Sequence, residues 1–300
     1  MYQAKLKLVL KGFFVGSADV VPGVSGGTIA FILGIYPKLI EAIKSFDSKW
    51  LRMIFSLDLI GSIQKPHFNF LLPLGIGMFI ALLFFTRVIP LPILIRTHPE
   101  IIYGLFFGLI FGSVIMFLRN YYTILKSRNL FFLIFGIVFG GFFITLSPSS
   151  TPNNSWFILI CGIASISAML LPGVSGAFVL LMLKKYSYIL NAIAYFKISI
   201  ILPFFIGIIM GLVIFSRLIS YLLENFYEKV ILFITGLLIA SLYVVWPFQN
   251  RIYTIINSKE KLVASTPYIL DISNEQLAYT LLMIILGLSI IILFERLSAE

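Results

Sequence analysis

Charge is scarce in this sequence. Only 11% of its 300 residues are Asp, Glu, Lys or Arg, against about 25% in an ordinary soluble domain. With 60% of positions hydrophobic and a mean hydropathy of +1.06, the chain has too little polar surface to coat a water-soluble globule. Cysteine is rarer still. Cys161 stands alone, which excludes an internal disulfide and a thiolate-rich metal cluster. The two histidines, His67 and His98, are well separated, so neither a metal site nor a cofactor is expected. Acidic residues are outnumbered 12 to 22 by lysine and arginine, a net charge of +10. Many of these cations flank apolar runs, a placement that suits anionic lipid headgroups and not nucleic acid.

What the sequence has instead is apolar length. Runs of about 20 residues, enough to cross roughly 30 Å of hydrocarbon, recur from end to end. No polar stretch is long enough for a separate soluble domain. The expectation is an all-α polytopic membrane protein, with residues 1–300 as a single membrane domain. The N-terminus, MYQAKLKLVLKGFFVGSA, has the basic start and small-residue end of a signal peptide. It is read here as a helix of the membrane domain, because the same stretch has a counterpart later in the chain.

That counterpart comes from a duplication. DVVPGVSGGT (19–28) and MLLPGVSGAF (169–178) share the pentapeptide PGVSG at an offset of 150. Across 22–46 and 172–196 ten of 25 positions are identical, including Leu33/Leu183, Tyr36/Tyr186 and Phe46/Phe196. The match resumes at offset 130, where 71–89 meets 201–219 and pairs Pro73/Pro203, Gly77/Gly207 and Arg87/Arg217. The first half carries about 20 extra residues, assigned to 47–67. Further spans are expected at 101–118 and 130–146, and at 230–247 and 277–294. Repeat one is 1–150 and repeat two 151–300.

Proline and glycine inside apolar sequence imply a broken helix. If each PGVSG segment is a re-entrant hairpin, each half keeps three transmembrane helices. An odd number inverts the second half, giving two inverted repeats of the kind many transporters use. Eleven first-half cations (Lys5, Lys7, Lys11, Lys38, Lys44, Lys49, Arg52, Lys65, Arg119, Lys126, Arg128) then share one side and only Arg96 flanks the other, which favours a cytoplasmic N-terminus. SPSSTPNNS (147–155) would lie outside. In the second half Lys184, Lys185, Lys197, Arg251, Lys259 and Lys261 would also lie outside, against the rule. Full crossing by the PGVSG segments, giving parallel repeats, is the structural alternative.

Irregular backbone at membrane depth is tolerated when it is buried or lines a wet cavity. The residues after each motif look helical, so unpaired amides at a helix start would attract an anion such as phosphate or carboxylate. The candidate binding residues are Gly23, Ser25, Gly26, Gly27 and Thr28, with Gly173, Ser175 and Gly176 from the second copy. Close helix packing by small residues is the plain alternative. Arg87 and Arg217 are intramembrane candidates for the same anion, with snorkelling to the interface as the competing reading. Asp19, replaced by Met169 in the second copy, and Glu41, replaced by Asn191, are candidates for coupling or gating. Glu41 is the weaker one, since a solvated helix face also explains it. No HExxH, Walker loop or serine–histidine–aspartate set appears.

SADVVPGVSGGTIAFILGIYPKLIEAI (17–43) and SAMLLPGVSGAFVLLMLKKYSYILNAI (167–193) closely resemble a bacterial membrane family associated with translocating undecaprenyl phosphate. The resemblance covers essentially the whole chain. It implies a multi-pass plasma-membrane transporter, not an enzyme, that returns the carrier lipid to the cytoplasmic leaflet for cell-wall synthesis. Its partners would be a polyprenyl phosphate and membrane lipids, and a homo-oligomer is compatible. The second copy departs from the first, with Ala177 and Phe178 replacing Gly27 and Thr28. Undecaprenyl pyrophosphate phosphatases carry a motif similar to PGxSRS, but glycine (Gly26, Gly176) stands at the arginine position here and no ExxxE appears, which argues against hydrolysis. An ion-coupled small-anion transporter is the remaining alternative.

Overall fold

In hydrocarbon every backbone donor and acceptor must find its partner within the chain, so apolar segments fold as helices. The computed structural model describes residues 2–21, 24–89, 91–121, 127–145, 151–256, 259–268 and 272–299. The first half contains α1 (Tyr2–Val20), α2 (Gly26–Ile32), α3 (Tyr36–Lys44), α4 (Ser48–Phe55), α5 (Leu59–Gln64) and α6 (Phe68–Leu83). A π-helical turn over Phe84–Val88 extends α6, and α7 (Leu91–Thr97), α8 (Pro99–Asn120) and α9 (Ser127–Thr145) follow. The second half contains α10 (Ser155–Leu170), α11 (Gly176–Met182), α12 (Tyr186–Ala194), α13 (Ile198–Val244) and α14 (Asn274–Ala299). Among the described residues α8, α13 and α14 are long and apolar enough to cross a membrane. The protein is an all-α polytopic membrane protein in its main body.

Three features differ from the sequence expectation. The helices after the motifs end early, at Ile32 and Met182, and the chain bends by 120° into α3 and by 109° into α12. Both bends use the same cap: Ile35 N–H bonds Ala30 O at 3.0 Å and Lys185 N–H bonds Leu180 O at 2.8 Å, the six-to-one closure of a left-handed helix stop. Gly34 takes that conformation with φ +67, and Lys184 takes it with φ +51. Second, α13 is two helices that join at a sharp kink at Phe226 (φ −137, ψ 38) with no loop between them. Third, an antiparallel β-hairpin, β1 (Gln249–Ile256) with β2 (Lys259–Pro267), precedes α14.

Among the described residues four helix pairs are built on glycine, and all four run parallel. On α1 and α6, Gly12 faces Leu74 and Gly16 faces Met78. On α10 and α13, Gly162 faces Phe204 and Gly211 faces Ile163. Gly108 of α8 lies on Ile284 of α14, with Gly104 and Gly112 one turn to either side. Gly136 of α9 lies on Phe233 of α13, and Gly140 on Ala240. Contact positions climb together in each pair, which only parallel helices allow. The first two pairs use glycines at the sequence offsets of the duplication, Gly12/Gly162 and Gly77/Gly207. Where side chains are this small, backbones approach closely and dispersion replaces the hydrophobic drive that lipid cannot supply.

The main core joins the halves. Tyr36, Ile40, Tyr103, Ile110, Ile234 and Leu238 are each 1% exposed or less, and they come from α3, α8 and α13. Lys44 at the end of α3 reaches Ser220 Oγ at 2.8 Å and Glu224 at 3.0 Å on α13.

A β-carbon at Gly77 would lie 2.0 Å from the Val9 carbonyl oxygen, whereas one at Gly75 meets nothing within 4 Å. Gly77→Ala therefore costs about 1–3 kcal/mol by overpacking. Gly75→Ala is neutral or stabilising by up to ~1 kcal/mol. Thermal melting of the detergent-solubilised protein distinguishes the two.

Candidate functional site

The two PGVSG copies meet. Gly173 N–H donates to Thr28 Oγ1 at 2.8 Å, a bond across 145 residues of sequence. The Tyr36 hydroxyl donates to Leu170 O at 3.0 Å, immediately before the second motif. Thr28 and Tyr36 are each 1% exposed, so both bonds are shielded. Gly27 adds a steric reason for the junction: a β-carbon there would sit 3.0 Å from Met169 O. Gly173 is pressed from the other side, where its β-carbon would lie 3.0 Å from Leu237 O of α13. Its φ of +85 suits glycine and few others. The second motif is thus gripped between α2–α3 and α13.

The start of α2 is occupied by the chain itself. Gly26 N–H donates to the Asp19 carboxylate at 2.7 Å, and Ser25 Oγ accepts Gly27 N–H at 3.2 Å. A β-carbon on Gly26 would lie 2.7 Å from both carboxylate oxygens, so the contact needs glycine. Asp19 closes this contact from an exposed position at the end of α1. A carboxylate at a helix start is what the unpaired amides and the dipole favour.

The start of α11 is different. Ser175 makes no side-chain cap, and Met169, in the place of Asp19, is 46% exposed. Gly176 packs on Ser165, whose hydroxyl donates to Gly176 O at 3.3 Å. The two helix starts therefore share a backbone shape and differ in charge.

Of the residues singled out in the sequence, Asp19, Ser25, Gly26, Gly27, Thr28 and Gly173 are gathered at this junction, and Ser175 and Gly176 follow on α11. Gly23 lies outside the described residues. Arg87 falls in the π-helical turn after α6 and Arg217 within α13. Both are exposed and neither pairs with a described acid. Counted from Phe68 and Ile198, each lies 19 residues along its helical segment, about 29 Å along the axis. Glu41 is exposed on α3.

Sequence reading missed Tyr36, although its identity with Tyr186 was a signal. It also missed how the break carbonyls are satisfied. Leu33 O accepts from Lys11 Nζ at 3.0 Å, and the equivalent Leu183 O accepts from Thr151 Oγ1 at 2.6 Å. Lys185, 3% exposed, is held by Thr151 O and Asn153 Oδ1 over the rings of Phe157 and Tyr188.

Thr28→Val keeps the shape and removes the acceptor, leaving the Gly173 amide orphaned at a cost of about 1–3 kcal/mol. Thr28→Ser keeps the bond. The valine variant is expected to melt measurably lower than the serine variant in detergent.

Comparison with known proteins places this junction in a family. The family profile described as undecaprenyl phosphate translocase-like matches residues 15–263. A protein of Vibrio cholerae serotype O1 (strain ATCC 39315 / El Tor Inaba N16961), named polyprenyl-phosphate transporter, is 38% identical over 258 residues, covering 86% of this chain and 83% of its own. A protein of the same name from Staphylococcus aureus (strain NCTC 8325 / PS 47) is 32% identical over 270 residues, covering 82% of this chain and 88% of its own. No solved structure matches significantly. With the profile spanning both PGVSG copies, the chain belongs to the undecaprenyl phosphate translocase-like family.

Proposed function

We propose that this chain carries a polyprenyl phosphate across the bacterial plasma membrane, with undecaprenyl phosphate as the physiological lipid. It returns the lipid to the cytoplasmic leaflet, where cell-wall precursor synthesis reuses it. The observation that carries this reading is the junction of two interrupted helices at Thr28 and Gly173, in a chain whose relatives are named polyprenyl-phosphate transporters. A phosphate headgroup needs a polar route, while its polyprenyl tail can remain in lipid.

The parallel pairing of α1 with α6 supports a re-entrant reading of the first motif. Parallel helices start on the same side, so α1, as the inward arm, and the chain that follows it together return to the side where α1 begins. The same holds for α10 with α13. Each half then keeps three spans and the halves, 1–150 and 151–300, are inverted. With the N-terminus in the cytoplasm, Arg87 stands near the outer face and Arg217 near the inner one. Each arginine would receive the headgroup on its own side, and the amides of Gly26, Gly27 and Gly176 would pass it between them.

Asp19 gives this route a means of coupling. The carboxylate and the phosphate compete for the same donor, Gly26 N–H, and repel each other. Protonation of Asp19 weakens its hold on that amide and removes the repulsion. Inward movement of an anion against an inside-negative potential costs about 2.3 kcal/mol per charge per 100 mV, so a proton carried along offsets part of the work.

Flipping of a short-chain polyprenyl phosphate in reconstituted vesicles tests the route. Arg87→Ala and Arg217→Ala are each expected to lower the rate about tenfold or more, the equivalent of ~1.4 kcal/mol. Equal rates in all three proteins would remove the arginines from the path. In the same vesicles Asp19→Asn is expected to abolish the response to an imposed proton gradient. An unchanged response would sink the coupling role.

A further inference from the structure

The stretch 47–67, which the second half lacks, takes no part in the route above, yet it is a built element. Asp47 caps α4 by accepting Trp50 N–H at 2.8 Å, and Asp58 caps α5 by accepting Gly61 N–H at 2.9 Å. The Trp50 indole N–H donates to Ser62 O at 2.9 Å, tying the two helices together. Lys65 closes the base by pairing with Asp47 and holds that carboxyl below the usual carboxylate range. Phe46 seats the hairpin by packing edge-on against Trp50 and Phe68.

What this hairpin presents is apolar. Phe55, Leu57, Ile60 and Ile63 are 84%, 80%, 70% and 64% exposed. Leu57 also stands at φ +58, where glycine or asparagine is the ordinary choice and a side chain costs of order 1–2 kcal/mol. An apolar side chain is therefore kept where it strains the backbone and adds nothing to the core. Helices of eight and six residues are about 12 and 9 Å long, far too short to span. Lys49 and Arg52 are exposed and line the polar side of α4.

We propose that α4 and α5 form an in-plane lipid anchor. The ridge of Phe55, Leu57, Ile60 and Ile63 enters the boundary between headgroups and acyl chains of one leaflet, and Lys49 and Arg52 lie against anionic headgroups. Continuity supports lipid as the occupant. Phe68 opens α6 just after Lys65, and Leu72, Ile76 and Phe79 continue the exposed apolar surface along that helix. Charge supports it too. The chain carries a net charge of +10, and a second copy docked face to face would bring Lys49 and Arg52 against themselves.

The test uses the full chain in vesicles of phosphatidylcholine with phosphatidylglycerol. In a Cys161→Ala background, single cysteines at 55, 57, 60 and 63, and at 49 and 52, carry a nitroxide label. Collision with oxygen is expected to exceed collision with a water-soluble nickel chelate several-fold at the four apolar sites, and the ratio to invert at 49 and 52. High nickel access at the apolar sites would place the ridge in water, and shielding from both reagents would place it against protein. Either result overturns the proposal. Omitting phosphatidylglycerol is expected to lower the oxygen-to-nickel ratio at all four sites, and an unchanged ratio overturns the anionic-headgroup contact.

Discussion

A backbone amide or carbonyl left without a partner in hydrocarbon costs several kcal/mol, and the described turns at the two motifs and the two helix breaks answer that constraint. Two PGVSG motifs and two helix breaks interrupt the regular bonding, and side chains close the gaps. Asp19 takes the Gly26 amide and Thr28 takes the Gly173 amide. Tyr36 satisfies Leu170 O, Lys11 satisfies Leu33 O, and Thr151 satisfies Leu183 O. These bonds set which irregular segments face each other, so the interior junction is a product of donor and acceptor matching as much as of packing.

The glycine-built pairs do the complementary task. They hold long helices at distances where no side chain fits between, at Gly12, Gly77, Gly108 and Gly136 among others. The rigid pairs flank a polar seam that depends on a few hydrogen bonds. Among the described residues, Thr28 with Gly173 and Tyr36 with Leu170 are bonded across that seam.

Much of this architecture could be read before any coordinates. The membrane class follows from the apolar runs, and the interrupted helices beside Asp19 and Met169 follow from two copies of one pentapeptide in apolar sequence. The partners could not be read. Thr28 and Gly173 are 145 residues apart, and no local pattern says that the first motif touches the second. The stop at Lys184 was hidden because a lysine, unlike Gly34, does not announce a left-handed residue. The two spans expected at 201–219 and 230–247 lie on either side of the kink at Phe226, but LENFYEKV (223–230) has no proline or glycine to show that the break needs no loop. The β-hairpin went unread, since no strand was expected between the spans at 230–247 and 277–294.

The capping of the two break carbonyls has an evolutionary consequence. Leu33 and Leu183 occupy the same place in each half, but one carbonyl is served by a lysine on the preceding long helix and the other by a threonine before it. Where the first half has Lys11, the second has the buried Cys161, which is no substitute for an ammonium donor. Gene conversion between the halves, which would keep a recent duplication uniform, would here copy a carbonyl without its donor. The two halves therefore close the same break with different donors, so the matched segments cannot be exchanged without stranding a carbonyl.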